Sequence, residues 1–296
     1  MVACSRLPSS RDPHSETLTL WDRKSGPDSL NTQRKLTVQD IPLFQQPHIT
    51  TLLLKLSSIE VFARIAVQPL PYDNLRTFRL SASKYSSAAL DKFLKNAGML
   101  KKFEFHHNAH ARLIETIPPN FSELLQPCQN TLEILQLSWD CHEPLTFHGP
   151  GMAFGNFTAL RYLAIPVRSL FGAYMWTKGI NWLQMLTKRI PPNVKIMYFD
   201  ELEIWPVEDE EREDFVEDYE SDDGEPLFKF SPSDYAMIRT LLENTALFPK
   251  LKWIAWTADV DITEQNDLYE LAEEVGVNIM GVRGIHDIPP EDIDRL

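Results

Sequence analysis

Three histidines, His106, His107 and His110, stand within five residues in an HHxxH arrangement, with Asn108 among them. Imidazoles that close could offer neutral nitrogens to a metal ion. No glutamate completes an HExxH arrangement, so the group that would activate a metal-bound water is missing. Asn108 also falls where an LxxLxLxxN repeat places an asparagine that bonds the turn backbone, which gives the segment a structural reading. The glycines Gly149-x-Gly151-x-x-x-Gly155 miss the dinucleotide-binding GxGxxG spacing by one residue and precede no clear helix start, so they read as a loop. Cys128 lies on an apolar helix face, and Cys141 lies in a loop with no base placed beside it. Nucleophile elbow, P-loop and EF-hand patterns are all absent. No catalytic residue, metal or cofactor is therefore expected, and a metal-dependent enzyme built on the histidines is the least favoured class.

The stronger chemical pattern is cationic, and it depends on a repeat. LRTFRL (75–80), LKKFEF (100–105), LEILQL (132–137), LRYLAI (160–165), VKIMYF (194–199) and LKWIAW (251–256) share an apolar-x-x-apolar-x-apolar spacing, and all eighteen anchor positions are apolar. If each is a strand, the anchors enter a core and the intervening positions face outward. Those positions are Arg76, Thr77 and Arg79; Lys101, Lys102 and Glu104; Glu133, Ile134 and Gln136; Arg161, Tyr162 and Ala164; Lys195, Ile196 and Tyr198; Lys252, Trp253 and Ala255. Five of the six residues in the first of these columns are Lys or Arg. The next column turns apolar and aromatic toward the C-terminus. A basic stripe beside aromatics has the composition of a protein-binding surface. The expected partner-binding residues are Arg76, Arg79, Lys101, Lys102, Arg161, Tyr162, Lys195, Tyr198, Lys252 and Trp253. The plain alternative is an ordinary solvated sheet face covered by Lys and Arg stems.

First anchors at 75, 100, 132, 160, 194 and 251 leave spacings of 25, 32, 28, 34 and 57 residues, enough for a helix between strands. This is the pattern of an α/β leucine-rich-repeat solenoid, with a parallel sheet on the concave face and helices on the convex face. Helical spacing fits Leu90, Phe93, Leu94 and Ala97 after Ser86 or Ser87, with Gly98 as the stop. It fits Phe121, Leu124, Leu125 and Cys128, and then Leu183, Leu186 and Ile190 before Pro191-Pro192. Ser231-Pro232-Ser233-Asp234 is a helix start with a capping hydroxyl, proline at the first position and an early carboxylate. A last helix from Thr263 places Leu268, Leu271, Ala272 and Val275 inward and closes at Gly276, and VNIMGV (277–282) suits an edge strand. ITTLLLKL (49–56) is a strand with two registers equally open.

The division expected is a poorly patterned segment 1–47, or a degenerate first repeat, followed by a repeat domain 48–296 with an acidic insertion at 207–226. Residues 208–225 hold twelve acidic residues and one arginine, so eleven of the thirteen net negative charges sit there and the remainder of the chain is near neutral. The bland reading is a solvated loop; the sharper one folds it over the basic column. A pI near 5.1 and this segment argue against nucleic acid as the partner. Three cysteines without CxxC spacing suit a reducing compartment. The first thirty residues lack a signal-peptide core and no run is long enough to span a membrane, so cytoplasm or nucleus is the expected location.

The phrases NLRTFRL, LDKFLKNAGMLKKFEF, TLEILQLS, NFTALRYLAIPVRSLFG and RIPPNVKIMYFDEL, in this order, resemble the leucine-rich-repeat region of fungal F-box-type proteins. The likeness covers roughly residues 48–260. It implies a nonenzymatic substrate-recognition or adaptor subunit that works with Skp/cullin ubiquitin-ligase components. Residues 1–47 depart from that family, holding no convincing F-box with its helical pattern. The departure favours a stand-alone binding scaffold as the alternative.

Overall fold

A computed structural model gives the architecture; it describes residues 17–21, 49–56, 72–82, 87–108, 120–140, 151–172, 179–200, 204–206, 228–257 and 266–282. The chain divides into two compact units, residues 1–148 with 157–160, and residues 149–156 with 161–296. Both are α/β, with parallel strands joined by helical or turn segments. No helix among the described residues is long and apolar enough to cross a membrane.

In the first unit five strands pair in sequence order and in parallel: β1 (Thr17–Trp21), β2 (Thr51–Leu56), β3 (Thr77–Ala82), β4 (Lys102–Asn108) and β5 (Ile134–Asp140). The stretch 17–20 thus supplies a paired strand within the poorly patterned N-terminal segment. The open register of 49–56 resolves as Ile49, Leu52 and Leu54 inward, the same spacing as the later rungs. Helix α1 (Ser87–Leu94) buries Leu90, Phe93 and Leu94, as the spacing predicts. Helix α2 (Phe121–Leu124) is a single turn that tightens into a 3-10 turn at Gln126–Cys128. Pro127 is the reason: it has no N–H to continue the α ladder. Between sheet and helices runs a file of rings. Phe78 lies 4.4 Å from Phe93, Phe103 5.6 Å from Phe121, and Phe105 4.9 Å from Phe121.

The second unit pairs β6 (Tyr162–Pro166), β7 (Ile196–Asp200), β10 (Trp253–Thr257) and β11 (Asn278–Val282) in parallel, in that order, with VNIMGV at the edge. A short antiparallel pair, β8 (Ile204–Pro206) with β9 (Phe228–Phe230), flanks the acidic insertion, whose residues lie outside those described. Helix α3 is Val167–Phe171 and α4 is Trp182–Arg189. In α4 one member of the expected inward set differs, Leu186 and Ile190 being buried as expected. Leu183 is exposed, and Trp182 takes the inward place with Leu186, at i and i+4, while Ile190 packs just beyond the helix. The Asn181 side chain accepts from the Gln184 N–H, starting the helix so that the large indole points inward against Phe171.

Helix α5 (Pro232–Glu243) begins as predicted, with the Ser231 hydroxyl accepting from the Asp234 N–H. Helix α6 (Asn266–Val275) buries Leu268 and Ala272, leaves Leu271 and Val275 half-buried, and closes on Gly276 at φ 71°. Thr263 lies outside the described residues.

Every one of the eighteen anchors is buried, at most 6% exposed. Of the glycine-bearing loop, Gly149 lies outside the described residues; the part from Gly151 to Gly155 is a loop, and it is built around a buried cation. Arg189 is 3% exposed, and its Nη1 donates to the Met152 carbonyl at 2.9 Å and to the Leu170 carbonyl at 2.5 Å. A Cβ on Gly151 would stand 2.4 Å from that same Leu170 oxygen, and one on Gly155 2.6 Å from the Lys188 oxygen. The glycines let the loop lie directly on helical backbone.

Candidate binding surface

Strand alternation divides the outward positions into two kinds. The first column, Arg76, Lys101, Glu133, Arg161, Lys195 and Lys252, lies one residue before each strand rather than within it. The main chain fixes it at the strand entry. The Thr50 carbonyl accepts from the N–H groups of both Arg76 and Thr77, and the Arg76 carbonyl accepts from Lys101 and Lys102. Likewise the Lys101 carbonyl accepts from Glu133 and Ile134, that of Arg161 from Lys195 and Ile196, and that of Lys195 from Lys252 and Trp253. Each carbonyl clasps two consecutive N–H groups of the next strand. The side chains at these entries are therefore stacked in rows at strand spacing.

In the first unit the cations of the row and of the sheet face are largely neutralised. Arg76 donates to the main-chain carbonyls of Asp73 at 3.1 Å and Met99 at 3.3 Å. Lys101 pairs with Glu133 at 2.8 Å. Glu104, 9% exposed, is held between Arg79 at 3.3 Å and Lys102 at 2.9 Å. Two glutamates thus engage three of the four expected cations, and the basic stripe is in this half a set of ion pairs.

The same alternation disposes of the histidine cluster. His106 and His107 are consecutive strand residues, so they project to opposite faces. His106 Nδ1 lies 2.7 Å from the Ser138 hydroxyl on the outer face. His107, 4% exposed, stacks near Phe105 in the core at 6.4 Å between centroids. The pair cannot chelate one ion, and His110 lies outside the described residues. Among those described, no three His, Cys, Asp or Glu come together as a metal site. Cys128 is fully buried, and burial pushes its thiol up to about 12.

In the second unit the lysines of the row differ. Arg161 and Lys195 are half-buried and Lys252 exposed, in three successive strand entries, with exposed Lys250 close by. Among the described residues no carboxylate pairs with Lys195, Lys250 or Lys252. The Lys195 ammonium is pushed below its ordinary range by loss of water contact first, then by repulsion from Arg161, Lys252 and Lys250. Like charges are held here at close range.

The expected aromatic anchors are a correction. Tyr162 is 3% exposed and Tyr198 7%, and Ala164, Ile196 and Ala255 are buried with them; Trp253 alone is half-buried. Both faces of this sheet are covered, as parallel sheets commonly are, and strands covered on both sides read as continuous apolar runs. The apolar drift in LRYLAI, VKIMYF and LKWIAW is that signature. Tyr198 is tied down as well: its hydroxyl lies 2.5 Å from Thr257 Oγ1, which donates to Asp200 Oδ1 at 2.7 Å. Lys250, Glu104 and Glu133 shape the charge of the surface without having been singled out. Lys250 was visible only as a second lysine beside the anchor Leu251.

No protein-family model, curated protein or solved structure matches this chain.

Proposed function

We propose that the chain is a nonenzymatic protein-recognition module, a leucine-rich-repeat-like solenoid that captures an acidic protein surface. The observation that carries this reading is the row Arg161, Lys195 and Lys252, whose lysines have no carboxylate partner among the described residues. Assembling like charges costs free energy in the unbound protein, and an anionic partner removes that cost. The repeated strand, buried anchors and intervening helices support the solenoid reading. The resemblance to fungal F-box-type proteins extends the proposal to a substrate-recognition or adaptor subunit working with Skp/cullin components. The N-terminal segment, without an F-box pattern, supports the stand-alone scaffold as the second reading.

The test is affinity capture from native cells with the wild-type chain and with Lys195→Glu/Lys252→Glu. Proteins held by wild type and lost by a variant with unchanged circular dichroism and melting support the binding row. An identical captured set with both chains refutes it. Skp and cullin components among the captured proteins select the ligase reading; their absence selects the scaffold.

A further inference from the structure

The cation row carries information about the shape of its partner as well as its charge. Arg161, Lys195 and Lys252 precede three neighbouring parallel strands, locked in step by N–H to carbonyl bonds of 2.7 Å from Lys195 to Arg161 and 2.8 Å from Lys252 to Lys195. Neighbouring strands lie about 4.8 Å apart, so the row runs about 10 Å across the strands. An extended peptide presents same-face side chains about 6.7 Å apart and drifts out of step with the row by about 4 Å over three residues. An α-helix advances about 5.4 Å per turn, and residues i, i+4 and i+7 span about 10.5 Å. The helical spacing stays in step with all three cations.

The surroundings narrow the contact to a line. Tyr162, Ile196, Tyr198, Ala164 and Ala255 are buried, so the sheet behind the row is already covered. What remains for a ligand is the strand-entry edge, with Trp253 half-buried beside Lys252 and Lys250 adding charge at the same end. One helix laid along a row is a line contact of this kind.

We propose that the segment recognised by this row is an α-helix with an acidic stripe, carboxylates at i, i+4 and i+7 meeting Arg161, Lys195 and Lys252. The proposal rests on the acidic-partner reading above and specifies the partner's conformation. Each carboxylate accepts from one guanidinium or ammonium group, and the repulsion among these cations, which adds to the effect of lost water contact at Lys195, is relieved on binding.

Three synthetic probes test it at low ionic strength: a side-chain-bridged helix with glutamates at i, i+4 and i+7, an isomer with the same glutamates spread around the helix, and an extended Glu-x-Glu-x-Glu peptide. The striped helix is expected to bind about tenfold more tightly than either of the others. That advantage should disappear in Lys195→Glu/Lys252→Glu, and Lys195→Gln/Lys252→Gln serves should the reversed charges disturb folding. Equal binding of all three peptides overturns the helical inference and leaves the acidic-partner reading standing. If no acidic peptide binds and charge reversal leaves the captured proteins unchanged, the acidic-partner reading falls too. A DNA duplex that binds as tightly as the striped helix overturns the proposal in favour of indiscriminate polyanion attraction.

Discussion

Tyr198 donates its phenolic hydrogen to Thr257. The direction follows because Thr257 has one hydroxyl hydrogen and gives it to Asp200, leaving only its lone pairs for the tyrosine. The two residues stand on neighbouring strands, β7 and β10, and close a polar chain on a face that is otherwise apolar. Tyr198→Phe should keep the fold and cost about 1 kcal/mol in urea unfolding, the worth of one hydrogen bond. Tyr198→Ala should cost about 3 to 5 kcal/mol by leaving a cavity. A loss of partner binding without loss of stability in the alanine variant would return Tyr198 to the binding surface.

Leu135 is fully buried at the second anchor of its rung. Leu135→Asp places a carboxylate among Phe and Leu side chains and should cost several kcal/mol, enough to unfold a domain of ordinary stability. Thermal melting followed by circular dichroism reads this directly. A melt like that of wild type would mean that the anchor register is wrong.

Gly151 combines a φ of 73° with backbone and guanidinium atoms 2.4 to 2.6 Å from the place of a Cβ. Gly151→Ala should therefore destabilise by more than about 1 kcal/mol, through strain and displacement of Arg189 together. Adding Arg189→Met should bring less further loss than Arg189→Met causes alone, because the first change has already disturbed the guanidinium. Simple additivity in the double variant would show that the two residues are not coupled.

Lys195 ties stability to binding with opposite signs. Its folded pKa lies below the ordinary 10.5, so between those values the unfolded chain holds more protons and stability rises with pH. Below that window Lys195 is charged in both states and the repulsion is felt in full. Lys195→Gln should thus be slightly more stable than wild type at neutral pH and low salt. The advantage should shrink above pH 10.5 and also in high salt, where like charges are screened. Binding of an acidic partner should weaken in the same variant. Matched unfolding curves at neutral and alkaline pH provide the check.

Cys128 should resist alkylation in the native protein well into alkaline solution, since its thiol is buried and holds its proton up to about 12. Mass-spectrometric mapping after iodoacetamide treatment should find it modified only in denaturant. Modification in the native state would mean that the region around the Gln126–Cys128 turn opens locally.

The anchors were legible in the sequence because burial at a period of three and then two is a property of residue type alone. Leu75, Phe78 and Leu80 announce themselves without knowledge of what covers them. The outward positions were less legible, since their surroundings come from distant parts of the chain. Nothing in LKKFEF says that Glu104 will sit between Arg79 and Lys102, and nothing in VKIMYF says that Tyr198 will be buried. His106 and His107 look clustered in the sequence and are separated by the sheet once the segment becomes a strand, an outcome that alternation in LKKFEFHH already implies. Leu183 and Trp182 exchanged places because the Asn181 cap, not the apolar count, sets the phase of a short helix.

The paired clasp at these strand entries has a consequence for the chain between them. Lys195 and Ile196 find their places through one carbonyl of Arg161, and Lys252 and Trp253 through one carbonyl of Lys195. The first of these steps joins anchors 34 residues apart and the second joins anchors 57 apart, yet the offset is identical. Alignment is set where neighbouring strands meet and takes no account of the length of chain between them, whose closure cost grows only logarithmically. The connections of such a chain can differ widely in length while the rungs stay in step, and the long acid-rich stretch between β8 and β9 is one that this arrangement admits.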